Sequence, residues 1–222
     1  MIEFLSVYPE NWANWWPQIN AAMLVTVQLT VCSFALAIVV GLLLALGKLS
    51  KIRALRMFCA GYIEVARGIP ALAVLFLLYY GLVPTGLVLD AFVASFIGLG
   101  LSAAGYIAEV FRAGIEAVPR GQMEAARSLG MPKSTAMTYI ILPQAFRIVL
   151  PATGNQFVGV LKGAAIAAVI GVADLMFFAR EASLQYFTYF EFYTTAGLLL
   201  IGSTVAFAGL VALAERKMRW GG

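Results

Sequence analysis

Histidine is missing from this 222-residue chain, and with it the commonest catalytic base and metal ligand. Charge is scarce too: Asp, Glu, Lys and Arg make up 12% of the residues, about half the share of an ordinary soluble domain. No polar stretch is long enough to form a separate soluble domain. The two cysteines, Cys32 and Cys59, stand alone in apolar surroundings without metal-ligand spacing, and read as buried small hydrophobes. No P-loop, G-x-x-x-x-G-K-[ST], occurs, so nucleotide hydrolysis is not built into this chain. No Ser or Cys sits beside a plausible base, which leaves an intramembrane enzyme without support. No internal repeat is visible, which argues against a carrier assembled from paired halves. Residues 1–20 hold Glu3 and Glu10 but no Lys or Arg, the reverse of the basic start of a secretory signal. The net charge of +4 carries no nucleic-acid signature.

What the chain has instead is apolar length. It is 62% hydrophobic, with a mean hydropathy of +0.91, which marks an all-α integral membrane protein. Five stretches approach the twenty or so apolar residues that a bilayer requires: roughly 21–46, 58–81, 89–111, 148–170 and 194–214. Lys162 interrupts the fourth. Tyr8, Trp12, Trp15 and Trp16 give residues 1–20 the character of an interfacial segment, either a helix on the membrane surface or a plain lead-in. Basic residues crowd the segments after spans one, three and five, whereas the opposite side holds only Arg180. The positive-inside rule therefore places the N-terminus outside and the C-terminus in the cytoplasm, with residues 217–222 as a cytoplasmic tail. Residues 171–193 face outside as a re-entrant or surface helix, or as an ordinary loop.

Between spans three and four lies Glu124–Pro143, EAARSLGMPKSTAMTYIILP. Glu124, Arg127 and Lys133 keep it out of lipid. Residues 124–129 favour a helix, Gly130 follows where a left-handed residue ends one, and Pro132 blocks continuation. A second helical run, Ser134 to Leu142, is expected to stop before Pro143. The spacing of Glu124-Ala125-Ala126, Gly130, Ile140 and Leu142-Pro143 resembles the EAA loop of bacterial ABC-importer permeases. Further segments resemble the polar amino acid subfamily: Tyr62-Ile63-Glu64-Val65-Ala66-Arg67-Gly68-Ile69-Pro70, Ala104 to Ile115, Pro119-Arg120-Gly121-Gln122, Leu142-Pro143-Gln144-Ala145 and Leu150-Pro151.

The resemblance implies a type I ABC-importer transmembrane domain over residues 21–216. Its loop 116–146 would dock on a cytoplasmic ATPase through Glu124, Ala125, Ala126, Arg127 and Gly130. It also implies two ATP-binding subunits that carry ATP and Mg, a second permease subunit, an extracytoplasmic solute-binding protein, and a place in the bacterial cytoplasmic membrane. Where many relatives read Asp-Thr-Ser after Leu-Lys, this chain has Gly163-Ala164-Ala165. Either it handles a different solute, or it is the non-binding half of a heterodimer.

Four ionisable residues fall within or at the ends of the spans: Glu64, Arg67, Glu109 and Lys162. Such groups face a protein interior or a water-filled path. Glu64 and Arg67, three apart, share one helix face. They form an intrahelical ion pair, or they line a path for a zwitterion together with Lys162, Gly163 and Ala164. Thr26, Gln28 and Thr30 suit helix–helix hydrogen bonding as well as transport. Gly159 and Gly163 make a G-x-x-x-G spacing that suits close packing.

Overall fold

The computed structural model describes the backbone of residues 2–219 and the side chains of 13–213. Every regular element among the described residues is helical. The α-helices are α1 (Ile2–Lys48), α2 (Arg53–Gly68), α3 (Ala71–Phe76), α4 (Ala91–Ala117), α5 (Arg120–Ser128), α6 (Lys133–Ala136), α7 (Leu142–Ala164), α8 (Leu175–Tyr186) and α9 (Tyr189–Arg219), with short 3-10 or π segments between some of them. Four helical runs are long and apolar enough to cross a membrane, and a fifth crossing arises if the bent pair Arg53–Gly68 and Ala71–Thr85 counts as one.

Several expectations are corrected. The second span, 58–81, is not one rod. Ile69 and Pro70 are extended, with ψ of 132° at both, because proline lacks an N–H and disfavours the α conformation in the residue before it. The fourth span begins earlier than 148. α6, a π turn over Met137–Ile141 and α7 follow one another without a break, so the run does not stop before Pro143. In the π turn the Leu142 N–H reaches back to the Met137 carbonyl, a wide turn that accommodates a ring without an N–H to give. Residues 1–20 are not a separate segment either, since α1 is one helix from Ile2. The side chains of Tyr8 and Trp12, and those of the tail 217–222, lie outside the described residues.

The chain divides into two compact units. One comprises Met1–Phe34, Pro70–Gly100 and Gly159–Ala206. There α8 is not a free surface helix. Its Leu175, Ala179 and Ala182 bury against Trp15, Ile19 and Ala22 of α1 and Phe192 and Ala196 of α9. Trp15 meets Phe192 in a tilted ring contact, with centroids 4.6 Å apart. The Thr26 hydroxyl donates to the Ala22 carbonyl at 3.0 Å and accepts from the Leu175 N–H at 3.1 Å. Thr26 thus ties α1 to the start of α8, and its buried hydroxyl is satisfied. Thr30 donates to the Thr26 carbonyl at 2.7 Å, while Gln28 is exposed. A second cluster joins Leu29, Leu75, Ala94, Leu99, Ala164, Ala167, Ile170 and Val172. Cys32 is exposed, against the expectation from its apolar neighbours, because its position on α1 turns away from both clusters; Cys59 is buried.

The other unit comprises Ala35–Ile69, Leu101–Val158 and Phe207–Gly222. Its core joins Leu44 and Ala45 of α1, Cys59 and Ile63 of α2, and Ala104 and Ala108 of α4. Glycines allow the close approaches: Gly47 of α1 faces the Cys59 Sγ of α2, and Gly114 of α4 faces Val149 of α7. A smaller cluster, Val118, Ile141 and Ala145, receives Met123 from α5, and so seats the loop helix on the ends of α4 and α7.

Candidate functional site

The loop helix is built from its ends. Pro119 precedes α5 with φ −56° and ψ 131°, and its fixed φ suits a helix start. At the other end Gly130 has φ +80°. The Met131 N–H donates to the Ala126 carbonyl at 3.1 Å and the Gly130 N–H to the Arg127 carbonyl at 3.0 Å. These two bonds are the Schellman termination, which requires a left-handed residue at Gly130. α5 buries Ala126 and exposes Glu124, Ala125, Arg127 and Ser128, with Leu129 83% exposed at its tip. The capped helix thus presents Leu129 at its end beside the exposed Glu124, Arg127 and Ser128. Beneath it, Ile115, Glu116, Val118, Pro119, Arg120, Met123, Met137 and Ile141 line a cleft of about 430 Å³.

The expected solute-path residues are distributed differently. Glu64 and Arg67 share α2 but form no ion pair with each other. The Arg67 guanidinium instead lies over the Tyr106 ring, 5.6 Å from its centroid, and the Tyr106 hydroxyl donates to the Arg67 carbonyl at 3.2 Å. Glu64 is exposed and has no hydrogen bond or ion pair among the described residues, on a helix whose Met57, Phe58 and Val65 are also exposed. Lys162 is exposed at the end of α7, where a cation favours the helix C-terminus. Gly163 is half-buried, with Leu99 3.7 Å from a Cβ placed there. Ala164 is wholly buried in the apolar cluster around Leu29 and Leu75. Its side chain therefore cannot line an open path within its unit. Gly159 is exposed within the chain.

Two features escaped the sequence reading. Asp174 caps α8: its Oδ1 accepts from the Phe177 N–H at 2.8 Å, and its buried Oδ2 has no hydrogen-bond partner among the described residues. Burial pushes its carboxyl up to about 6, against the lowering pull of backbone N–H groups at Phe177 and Met176. An N-cap Asp before an apolar run is a visible signal for a helix start, but its burial is not. The second feature is an ion cluster. Glu109 bonds Lys48 from the end of α1 and Arg112 from its own helix, and Arg112 also bonds Glu116. The spacing of Glu109, Arg112 and Glu116 foretells the local part. Lys48, 61 residues away, is a tertiary partner.

Residues 37–220 match the family described as "Binding-protein-dependent transport system inner membrane component". The probable amino-acid permease protein YxeN of Bacillus subtilis is 38% identical over 205 residues, 91% of this chain and 92% of YxeN. The probable glutamine ABC transporter permease protein GlnM of the same organism is 37% identical, over 87% of this chain and 89% of GlnM. Among solved structures, an amino acid ABC transporter with histidines superposes with a TM-score of 0.90 at 40% identity, over 96% of this chain and 98% of that one. The inward-facing MetNI methionine ABC transporter superposes at 0.76 with 18% identity, over 92% of this chain and 97% of that one, a likeness of fold.

Proposed function

Because the chain belongs to the family of binding-protein-dependent transport system inner membrane components, we propose that it carries a polar amino acid or a related small zwitterion into a bacterial cell. The observation that carries this reading is likeness to amino-acid permeases along nearly the whole chain, with the loop helix intact. The fold is that of the type I ABC-importer transmembrane domain. The chain works as a transport subunit without covalent chemistry of its own. Its partners are two ATP-binding subunits that hold ATP and Mg, a second permease subunit and an extracytoplasmic solute-binding protein. The direct experiment is reconstitution of that complex in proteoliposomes with a panel of labelled amino acids. ATP-dependent uptake of none of them would sink the proposal.

Orientation follows from charge: N-terminus outside, C-terminus inside, residues 116–146 in the cytoplasm. In a chain with Cys32 and Cys59 replaced, a cysteine at position 133 is expected to resist impermeant thiol reagents in intact cells and to react in inside-out vesicles. Labelling from outside would reverse the topology.

For the solute path, Glu64 is the strongest candidate for the substrate ammonium. It is an exposed carboxylate with no ion pair among the described residues, a position that in a membrane needs a water-filled path or a partner subunit. Arg67 or Lys162 would face the substrate carboxylate. Glu64→Gln is expected to reduce solute-stimulated ATP hydrolysis far more than basal hydrolysis. Since Arg67 engages Tyr106 rather than Glu64, adding Arg67→Gln should restore nothing; recovery in the double variant would mark a merely structural pair. The apolar Gly163-Ala164-Ala165 favours a second reading, the non-binding half of a heterodimer. Co-purification of a different permease chain would support it.

A further inference from the structure

We infer that Glu109 is a positioning residue that ties the cytoplasmic end of α1 to the root of the loop helix, so that movement at the ATPase contact reaches the first membrane helix. The inference rests on the transport reading above. Its basis is the allocation of the carboxylate. Glu109 Oε1 takes Lys48, the last residue of α1. Oε2 takes Arg112, from Nε at 2.9 Å and Nη2 at 2.8 Å. Each oxygen thus holds one cation, the two cations come from different helices, and neither oxygen is left to water alone.

The chain of charge continues. Arg112 Nη1 bonds Glu116, and Glu116 lines the cleft that Pro119, Arg120 and Met123 of the loop helix complete. A run of bonded side chains therefore extends from the end of α1 to Glu116, beside the cleft that the start of α5 borders, all within one compact unit.

Apolar packing joins the same helices beside this run. Leu44, Ala45, Cys59, Ile63, Ala104 and Ala108 already pack α1, α2 and α4 together, and Gly47 admits the Cys59 sulfur. The ions are only partly buried: Glu109 retains 19% and Lys48 23% of side-chain exposure, a setting in which ion pairs add little net stability. They do impose direction. Apolar contacts permit small slides, whereas Lys48 and Arg112 must follow the one carboxylate they share. A contact that is cheap to break and specific in geometry suits a joint between moving parts.

The test uses the complete complex of permease, ATPase and solute-binding protein in proteoliposomes, with solute uptake and ATP hydrolysis measured together. For Glu109→Gln, uptake per ATP should fall about five-fold or more while basal hydrolysis stays within about two-fold of wild type. Glu109→Asp, which keeps the charge, should retain most of the coupling. Lys48→Gln should reproduce the loss, and the double variant should be no worse than the poorer single one. Should Glu109→Gln fail to assemble, Lys48→Gln decides alone. Unchanged uptake per ATP in these variants, or hydrolysis and uptake falling in parallel, overturns the inference. Absence of ATP-driven uptake in the wild-type complex would instead overturn the transport reading, and the inference with it.

Discussion

Gly130→Val is expected to lower solute-stimulated ATP hydrolysis by the assembled complex about 5- to 30-fold, the equilibrium factor for 1–2 kcal/mol, while membrane insertion stays intact. The physical cause is confined to the backbone. Gly130 has φ +80°, and a Cβ placed there meets nothing within 4 Å, so steric crowding by neighbours contributes no penalty. What remains is the left-handed conformation itself, which costs an L-residue about 1–2 kcal/mol and a β-branched one the most. To escape it the chain would abandon the bonds from Met131 to Ala126 and from Gly130 to Arg127. The tip of α5, with Leu129 at its apex, would then point elsewhere. Insertion depends on apolar spans that the substitution does not touch. Gly130→Asn is the matching control, because asparagine tolerates the left-handed region; it should keep most of the stimulated activity. Equal activity of the Val variant and wild type would remove this helix from the ATPase contact. Equal loss in Asn and Val would assign the effect to the side chain rather than to the turn.

The second large effect concerns Asp174 and pH. Its carboxyl sits at about 6 in the folded chain, against an ordinary value near 3.8. The folded state thus holds this proton more tightly than the unfolded state does. The stabilisation from this group is fully present below the ordinary value, declines as pH rises through about 6, and is absent above it. The difference between the two ends of that window is about 2–3 kcal/mol, or about 4–12 °C in unfolding midpoint for a chain of this size. Asp174→Asn isolates it, because asparagine also caps helices well yet does not titrate. The wild-type midpoint minus that of Asp174→Asn should fall between pH 4 and 7 and flatten above 7. A difference constant across that range would mean that Asp174 is charged throughout, with an unseen partner on its Oδ2. The consequence would concentrate in the packing of α8 on α1, because the Leu175 N–H beside the cap bonds the Thr26 hydroxyl.

Membership of the membrane class, the placement of most helices and the corner at Gly130 were all determined by the sequence by itself. Each follows from local chemistry. A run of twenty apolar residues has few alternatives to a helix in lipid. A helix-forming stretch followed by Gly130 and Pro132 has one inexpensive way to end, and the structure adopts it. Tertiary structure decided the rest, because the cause was remote or the local signal divided. Pro70 and Pro143 are the same residue in similar apolar surroundings. One breaks the chain into α2 and α3, while the other is absorbed by a π turn and leaves the helix running. Both prolines are exposed, and spacing alone does not tell the two outcomes apart. Glu64 and Arg67 have ion-pair spacing, yet Tyr106 of α4 claims the arginine. Asp174 reads as a loop charge, and only the closure of α1, α8 and α9 around Trp15 and Phe192 makes it a buried acid. Lys48 and Glu109 read as a loop cation and an intramembrane anion, and only the meeting of α1 with α4 makes them one contact. Periodicity and capping act over one or two turns of helix, whereas desolvation and ion pairing are set by whichever side chains the folded chain brings within a few ångströms.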